Sequence, residues 1–145
     1  MGDGVIDNGV AVKAYMIELI RALPELAGFQ VTWSHPTSDP HRRWVMVGRV
    51  TWDSTEWRTT RQVEETFNLE VLVSLVRPGR TSEETETEAA TAGRAIEAAV
   101  MADPSLGGLV IASSWSPDWI GSAPIPEGME GQYAARLRVR ARRTR

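Results

Sequence analysis

Tyr133-Ala-Ala-Arg-Leu-Arg-Val-Arg-Ala-Arg-Arg143 separates into two registers. Tyr133, Ala135, Leu137, Val139 and Ala141 make up the apolar one, and Arg136, Arg138, Arg140 and Arg142 fill the other. Alternation with a period of two is the pattern of a strand whose neighbouring side chains point to opposite faces. One face packs on a core and the other meets something polar, so the identity of that polar partner becomes the functional question.

Upstream, Gly107-Gly108 leads into an expected strand from Leu109 to Trp115. A proline-rich loop, Pro117 to Gly128, is expected to join it to the arginine strand. Thr81 to Met101 is expected to be a long helix. Thr81 with Glu84 three residues later matches a capping box, and Glu83, Glu84, Glu86 and Glu88 stand where the helix dipole favours anions. Ala89, Ala92, Ile96, Ala99 and Val100 give this helix a narrow stripe of small residues suited to close packing on a sheet.

Gln62 to Val76 carries the strongest strand pattern, with Phe67, Leu69, Val71, Val73 and Leu75 on one face and Asn68, Glu70, Leu72 and Ser74 on the other. Arg77-Pro-Gly-Arg80 ends it with turn chemistry. Trp44 to Trp52 alternates with bulk in both registers, the reading of a strand lying centrally or covered on both faces. Asp53 to Arg61 reads as a polar connection presenting Trp57. Phe29 to Ser34 is a short strand. A helix from about Val10 to Leu23, capped by Asp7 or Asn8, is apolar around most of its circumference and so is expected to be buried.

The order is helix, three strands, helix, two strands, with neither a repeat nor a βαβ alternation. It predicts an α+β fold: a single domain over residues 1–145, its mostly antiparallel sheet packed with the N-terminal helix and one long central helix. Residues 1–8 and 142–145 are expected to be mobile ends. A length of 145 residues, with 42% hydrophobic and 24% charged side chains, fits one globular core.

The net charge of −3 conceals an asymmetry. Six of the fifteen arginines fall in the last ten residues, and the remainder holds ten basic against 19 acidic side chains, a charge of −9. An acidic body with a basic tail suits self-association through complementary charge, or contact with an acidic surface. No cationic, apolar leader opens the chain, and no apolar run reaches the roughly 20 residues of a membrane span.

Catalytic signatures are missing. The chain has no cysteine, no Gly-x-Ser-x-Gly elbow, no Walker loop and no Gly-x-Gly-x-x-Gly turn. His35, Asp39 and His41 share a loop stiffened by Pro36 and Pro40, yet nothing completes a four-ligand set, so the reading is no metal, no cofactor and no enzyme. Guanidinium groups about 7 Å apart along one strand face could track phosphates, which makes a small nucleic-acid-binding module an alternative. The acidic body instead favours arginines paired with carboxylates of the same or a neighbouring subunit, Glu70 among them. Of six tryptophans, Trp33, Trp44 and Trp52 read as core, while Trp57, Trp115 and Trp119 read as loop residues available to a partner.

Taken in order, the apolar first helix, the strand ending in Arg77-Pro-Gly, the acid-opened helix through Ala99-Val100, Asp103-Pro-Ser-Leu-Gly-Gly108 and the closing Ala135-Arg-Leu-Arg-Val-Arg-Ala141 resemble the tail terminator (tail completion) proteins of long-tailed bacteriophages. The small versions from phages of actinobacteria are the nearest in pattern, over nearly the whole chain. The resemblance implies an α+β subunit of a homohexameric ring that caps the tail tube, stops its polymerisation and offers a surface to the head connector. Its expected partners are its own copies, the tail tube protein, a head–tail connector protein, and genomic DNA passing through the lumen without sequence-specific binding. The expected place is the head-proximal end of the virion tail, and the host cytoplasm during assembly. Another connector component is the nearest alternative.

A ring needs two different complementary patches on each subunit. Arg136, Arg138 and Arg140 are the candidates for one, and Glu83, Glu84, Glu86 and Glu88 for the other. Trp57, Trp115 and Trp119 are the candidates for contact with tube or connector.

Overall fold

The computed structural model describes residues 7–34, 42–57 and 62–144. Helix α1 spans Asn8–Ala22, a 3-10 turn Pro24–Leu26, and strands β1, β2 and β3 span Gln30–Trp33, Arg43–Trp57 and Gln62–Arg77. Helix α2 covers Ser82–Ala102, and β4 (Ala112–Ile125) and β5 (Gly128–Thr144) form a closing hairpin. The five strands make one sheet in the order β1-β2-β3-β5-β4. Only the short β1–β2 pairing is parallel; the other three pairings are antiparallel. The α+β domain with a mostly antiparallel sheet is therefore the observed architecture.

Each helix begins where its sequence dictates. Asp7 caps α1 by accepting the Gly9 N–H at 2.7 Å. Thr81 and Glu84 form the reciprocal capping box of α2: the Glu84 N–H donates to Thr81 Oγ1 at 3.1 Å and the Thr81 N–H to Glu84 Oε1 at 3.0 Å. At the far end Asp103 accepts from Ser105 Oγ and the Gly107 N–H, both at 2.8 Å, and Leu106 and Gly107 adopt positive φ. That turn swings buried Leu106 back under the helix.

Both helices lie on one side of the sheet and share a single core with it. Val12, Met16, Ile17 and Ile20 of α1 and Ala89, Ala92, Ile96 and Val100 of α2 pack on Phe67 to Leu75 of β3 and Tyr133 to Ala141 of β5, in the apolar register of each strand. The small-residue stripe acts as expected, because it lets α2 approach closely. A Cβ at Gly93 would stand 2.2 Å from the Tyr133 ring, and one at Gly131 2.6 Å from the Thr85 carbonyl oxygen.

Several local expectations are corrected. Asp53 to Trp57 is not a connection but the continuation of β2, which absorbs two bulges, between Val47 and Val50 and between Trp52 and Ser54; residues 58–61 lie outside the described set. Pro117 to Ile125 is likewise strand: β4 starts later than expected, at Ala112, and runs through both prolines, with a bulge between Pro117 and Trp119. An edge strand tolerates proline because its outer N–H has no ladder partner to lose. Arg142 and Arg143 are not a frayed tail, since β5 stays paired with β3 as far as Thr144. Trp33 and Trp52 are not core residues, with exposures of 48% and 47%. Nor is β2 covered on both faces; Trp44 and Met46 are half-buried on the side away from the helices.

Candidate functional site

No element of the described chain covers the second face of the sheet. It is built from the other register of every strand. Across it run transverse rows set by strand pairing: Met46, Leu72, Ala134 and Trp119 form an apolar row, and below it come Glu70, Arg136 and Ser116, then Asn68, Arg138 and Ser114, then Thr66, Arg140 and Ala112. In the three lower rows the long side chains stand on the central strands, flanked on β4 by serine and alanine. A shallow groove of about 390 Å³ results, floored by Ala112 to Ser114 and walled by Arg138 and Arg140.

Three arginines of the row have counter-charges within the chain, and exposed Arg142 has none among the described residues. Arg136 Nε donates to Asp118 Oδ1 at 3.1 Å, Arg138 Nη1 lies 2.7 Å from Asp53 Oδ2, and Arg140 Nε lies 3.5 Å from Glu64 Oε1. Glu70, opposite Arg136 in register, takes Arg49 at 3.3 Å instead. The sequence pointed to carboxylates of the same or a neighbouring subunit for this strand, Glu70 among them, but not to these three. Asp53 reaches the face because the β2 bulge places it there, and Asp118 because the β4 bulge does. Sequence alternation gives no sign of a bulge, so both carboxylates read as loop residues. The outcome is a face of interleaved, half-exposed ion pairs rather than a positive stripe.

The acidic candidates are similarly engaged. Glu84 belongs to its cap, where hydrogen bonds from the Thr81 backbone and side chain hold its carboxyl below the usual range, helped by Arg80. Glu88 binds Arg77 Nε at 2.8 Å, and this bond holds the guanidinium above its ordinary value. Glu86 accepts from Ser122 Oγ of β4. Glu83 is exposed, with no polar partner among the described residues. The fold places these glutamates on the helix side of the sheet, opposite the arginines, so the two candidate patches lie on opposite sides of one two-layer domain.

The three candidate tryptophans separate. Trp115 Nε1 donates to Tyr133 Oη at 2.9 Å and packs at the margin of the core. Trp119 is 49% exposed at the end of the apolar row. The backbone of Trp57 pairs with Val63 at the end of β2. His35, Asp39 and His41 lie outside the described residues; among the described residues no group of three or more acidic or histidine side chains is placed to hold a metal ion. No helix of the described residues is long and apolar enough to cross a membrane.

Sequence reasoning missed one polar cluster. Lys13, the chain's single lysine, is buried at 7% exposure in the middle of α1. Its Nζ donates to Ser34 Oγ at 2.8 Å and stands 4.7 Å from the centre of the Trp33 ring. Burial lowers its pKa from the ordinary lysine value. The clue in the sequence is a lone lysine on the apolar arc Val12, Met16, Ile17, Ile20.

Comparison with known proteins finds no protein-family model that matches this chain and no curated relative.

Proposed function

We propose that this chain is a structural assembly protein, a phage tail terminator that forms a ring on the end of the tail tube, stops tube growth and presents the surface to which the head joins. The reading rests on the resemblance in element order and on one observation above the rest: the described residues leave an entire face of the five-stranded sheet without a covering layer, and it is walled by ion pairs around an apolar row. A surface of this kind supplies shape and register to a protein partner. The two-layer build also supports a ring, because a closed heterologous interface needs distinct patches on different sides of the subunit.

Internal neutralisation of Arg136, Arg138 and Arg140 weighs against a nucleic-acid module. Counterion release, which drives such binding, requires cations that are not already matched.

Deleting this chain's gene from the phage tests the proposal by electron microscopy of the lysate. The expected result is tail tubes of irregular excess length with no heads attached, restored to uniform length by the purified protein. Tails of normal length already joined to heads would overturn it.

A further inference from the structure

Lys13 and Ser34 stand 21 residues apart, so no local motif announces them, yet Lys13 Nζ and Ser34 Oγ meet at 2.8 Å. Helix α1 carries the lysine inward on its buried arc. The parallel pairing of β1 with β2 ends at Trp33, and the Ser34 N–H still donates to the Val47 carbonyl at 2.8 Å. Continued alternation would point the next side chain away from the helices. Ser34 instead adopts a φ of 64°, which brings its hydroxyl to the ammonium, and Thr32 Oγ1 donates to the Ser34 carbonyl at 2.7 Å. Positive φ at a residue other than glycine is strained backbone, and such strain concentrates at functional sites.

The surroundings suit a base and a nucleophile. Lys13 is 7% exposed, its contacts are the Ser34 hydroxyl and the Trp33 ring, and burial lowers its pKa. Withdrawal from water disfavours the ammonium, so the neutral amine forms at milder pH than on an exposed lysine. Ser34 is half-buried and lines a groove of about 380 Å³ with Met46, Gly48, Arg49 and Glu70. Gly48 and Arg49 belong to the bulge of β2 and have no register partner on β3.

We propose that Ser34 and Lys13 form a serine–lysine acyl-transfer site whose substrates are small uncharged esters. A hydroxyl, a desolvated amine within hydrogen-bond reach and an adjoining groove are the parts such chemistry needs. The groove has room for a short acyl chain, and its guanidinium, Arg49, is already paired with Glu70 at 3.3 Å, so a charged substrate finds no free counter-charge there. Neutral Nζ accepts the Ser34 hydroxyl proton as Oγ bonds to the carbonyl carbon. The ester C–O bond then breaks, and the Lys13 ammonium returns the proton to the departing alcohol oxygen. Water attacks the acyl-serine with Lys13 again as base, releasing the carboxylic acid and restoring the hydroxyl. The proposal goes beyond the assembly reading and stands without it.

An alkyl fluorophosphonate tests the site. Ser34 Oγ displaces fluoride from phosphorus while Lys13 takes the hydroxyl proton, leaving a stable phosphonyl ester. The wild type is expected to gain one phosphonyl group by intact mass, located on Ser34 by peptide mapping, and to cleave p-nitrophenyl acetate. Ser34→Gly suits the positive φ and should lose both properties. Lys13→Met, verified as folded by circular dichroism, keeps the hydroxyl but should be labelled about 10²-fold more slowly, the usual size of a lost general base. Should that variant fail to fold, Lys13→Arg replaces it, since a guanidinium can donate to Ser34 but cannot act as a base. A wild type left unlabelled at Ser34, or a folded Lys13 variant labelled there at the wild-type rate, overturns the proposal. None of these readouts involves tail length, so the two readings fail separately.

Discussion

Asp53 and Arg138 are joined at 2.7 Å across 85 residues of chain, and the same Asp53 oxygen accepts from Asn68 Nδ2 at 3.0 Å. The β2 bulge brings a carboxylate onto the open face at the point where three strands place Thr51, Asn68 and Arg138 side by side. Asp53 thus both locks the bulged half of β2 to the centre of the sheet and neutralises the middle guanidinium of the row. Asp53→Asn separates these effects. Because the pair is partly exposed, the expected stability loss is about 1 kcal/mol or less. The released arginine should give the variant salt-sensitive retention on a heparin column that the wild type lacks, and equal retention of the two proteins would refute the claim of internal neutralisation.

Gly93 marks the closest approach of α2 to the sheet. In an isolated helix Gly→Ala is worth about 1 kcal/mol in favour of alanine. Here the new methyl would stand 2.2 to 2.6 Å from three ring atoms of Tyr133, a fully buried residue whose hydroxyl also takes the Trp115 hydrogen bond. The ring cannot move without breaking that bond, so the packing cost outweighs the propensity gain. Gly93→Ala should lose roughly 2 kcal/mol net, read as a lower urea midpoint at unchanged slope, and a neutral or stabilised variant would show that α2 can slide on the sheet.

The α2 capping box couples stability to pH. Hydrogen bonds from Thr81 hold the Glu84 carboxyl below its usual pKa. A carboxylate depressed in the folded state contributes stability that is fully present above its unfolded value and is lost as pH falls through the folded one. As the loss of a helix cap, Thr81→Ala should cost about 1 kcal/mol at neutral pH. It should also lessen, without abolishing, the fall of melting temperature on the acid side of the ordinary glutamate range, because the hydroxyl bond to Glu84 is lost while the backbone bond, the larger cause, remains. Thermal scans of wild type and variant from neutral to acid pH compare the two slopes, and parallel curves would remove the Thr81 hydroxyl as a contributor.

Periodicity was legible wherever a strand runs straight and one face is buried. Phe67 to Leu75 and Tyr133 to Ala141 announce the two central strands because helices cover one register and leave the other outside. The capping box and the small-residue stripe were readable for the same reason, since each depends on neighbours a few positions apart. The misreadings sit at bulges. A bulge shifts the alternation by one residue, so Asp53 to Trp57 and Pro117 to Ile125 lost their period-two signature and passed for loops. Edge position misled in another way, because Trp33 reads as core by hydrophobicity, whereas a four-residue edge strand leaves half of it exposed. The arginine partners could not be found without the fold, since Asp53 and Asp118 reach the open face only through those bulges.

Lys13 provides the sharpest test of how α1 sits against β1. Its ammonium is nearly withdrawn from water, with one hydroxyl and one indole ring for company, and burial lowers its pKa. For a base depressed in the folded state, the unfolded chain holds the proton to higher pH. Between the lowered folded value and the ordinary lysine value near pH 10.5, stability should rise as pH rises. Lys13→Met keeps the length of the side chain and removes the charge, so it should equal or exceed the wild type in stability at neutral pH and lose the alkaline rise. Chemical denaturation from neutral pH up to that range reads both effects. A variant clearly weaker than wild type at neutral pH would mean that the Ser34 hydrogen bond and the Trp33 contact more than repay the burial of the charge, and would make Lys13 a clamp holding β1 to α1.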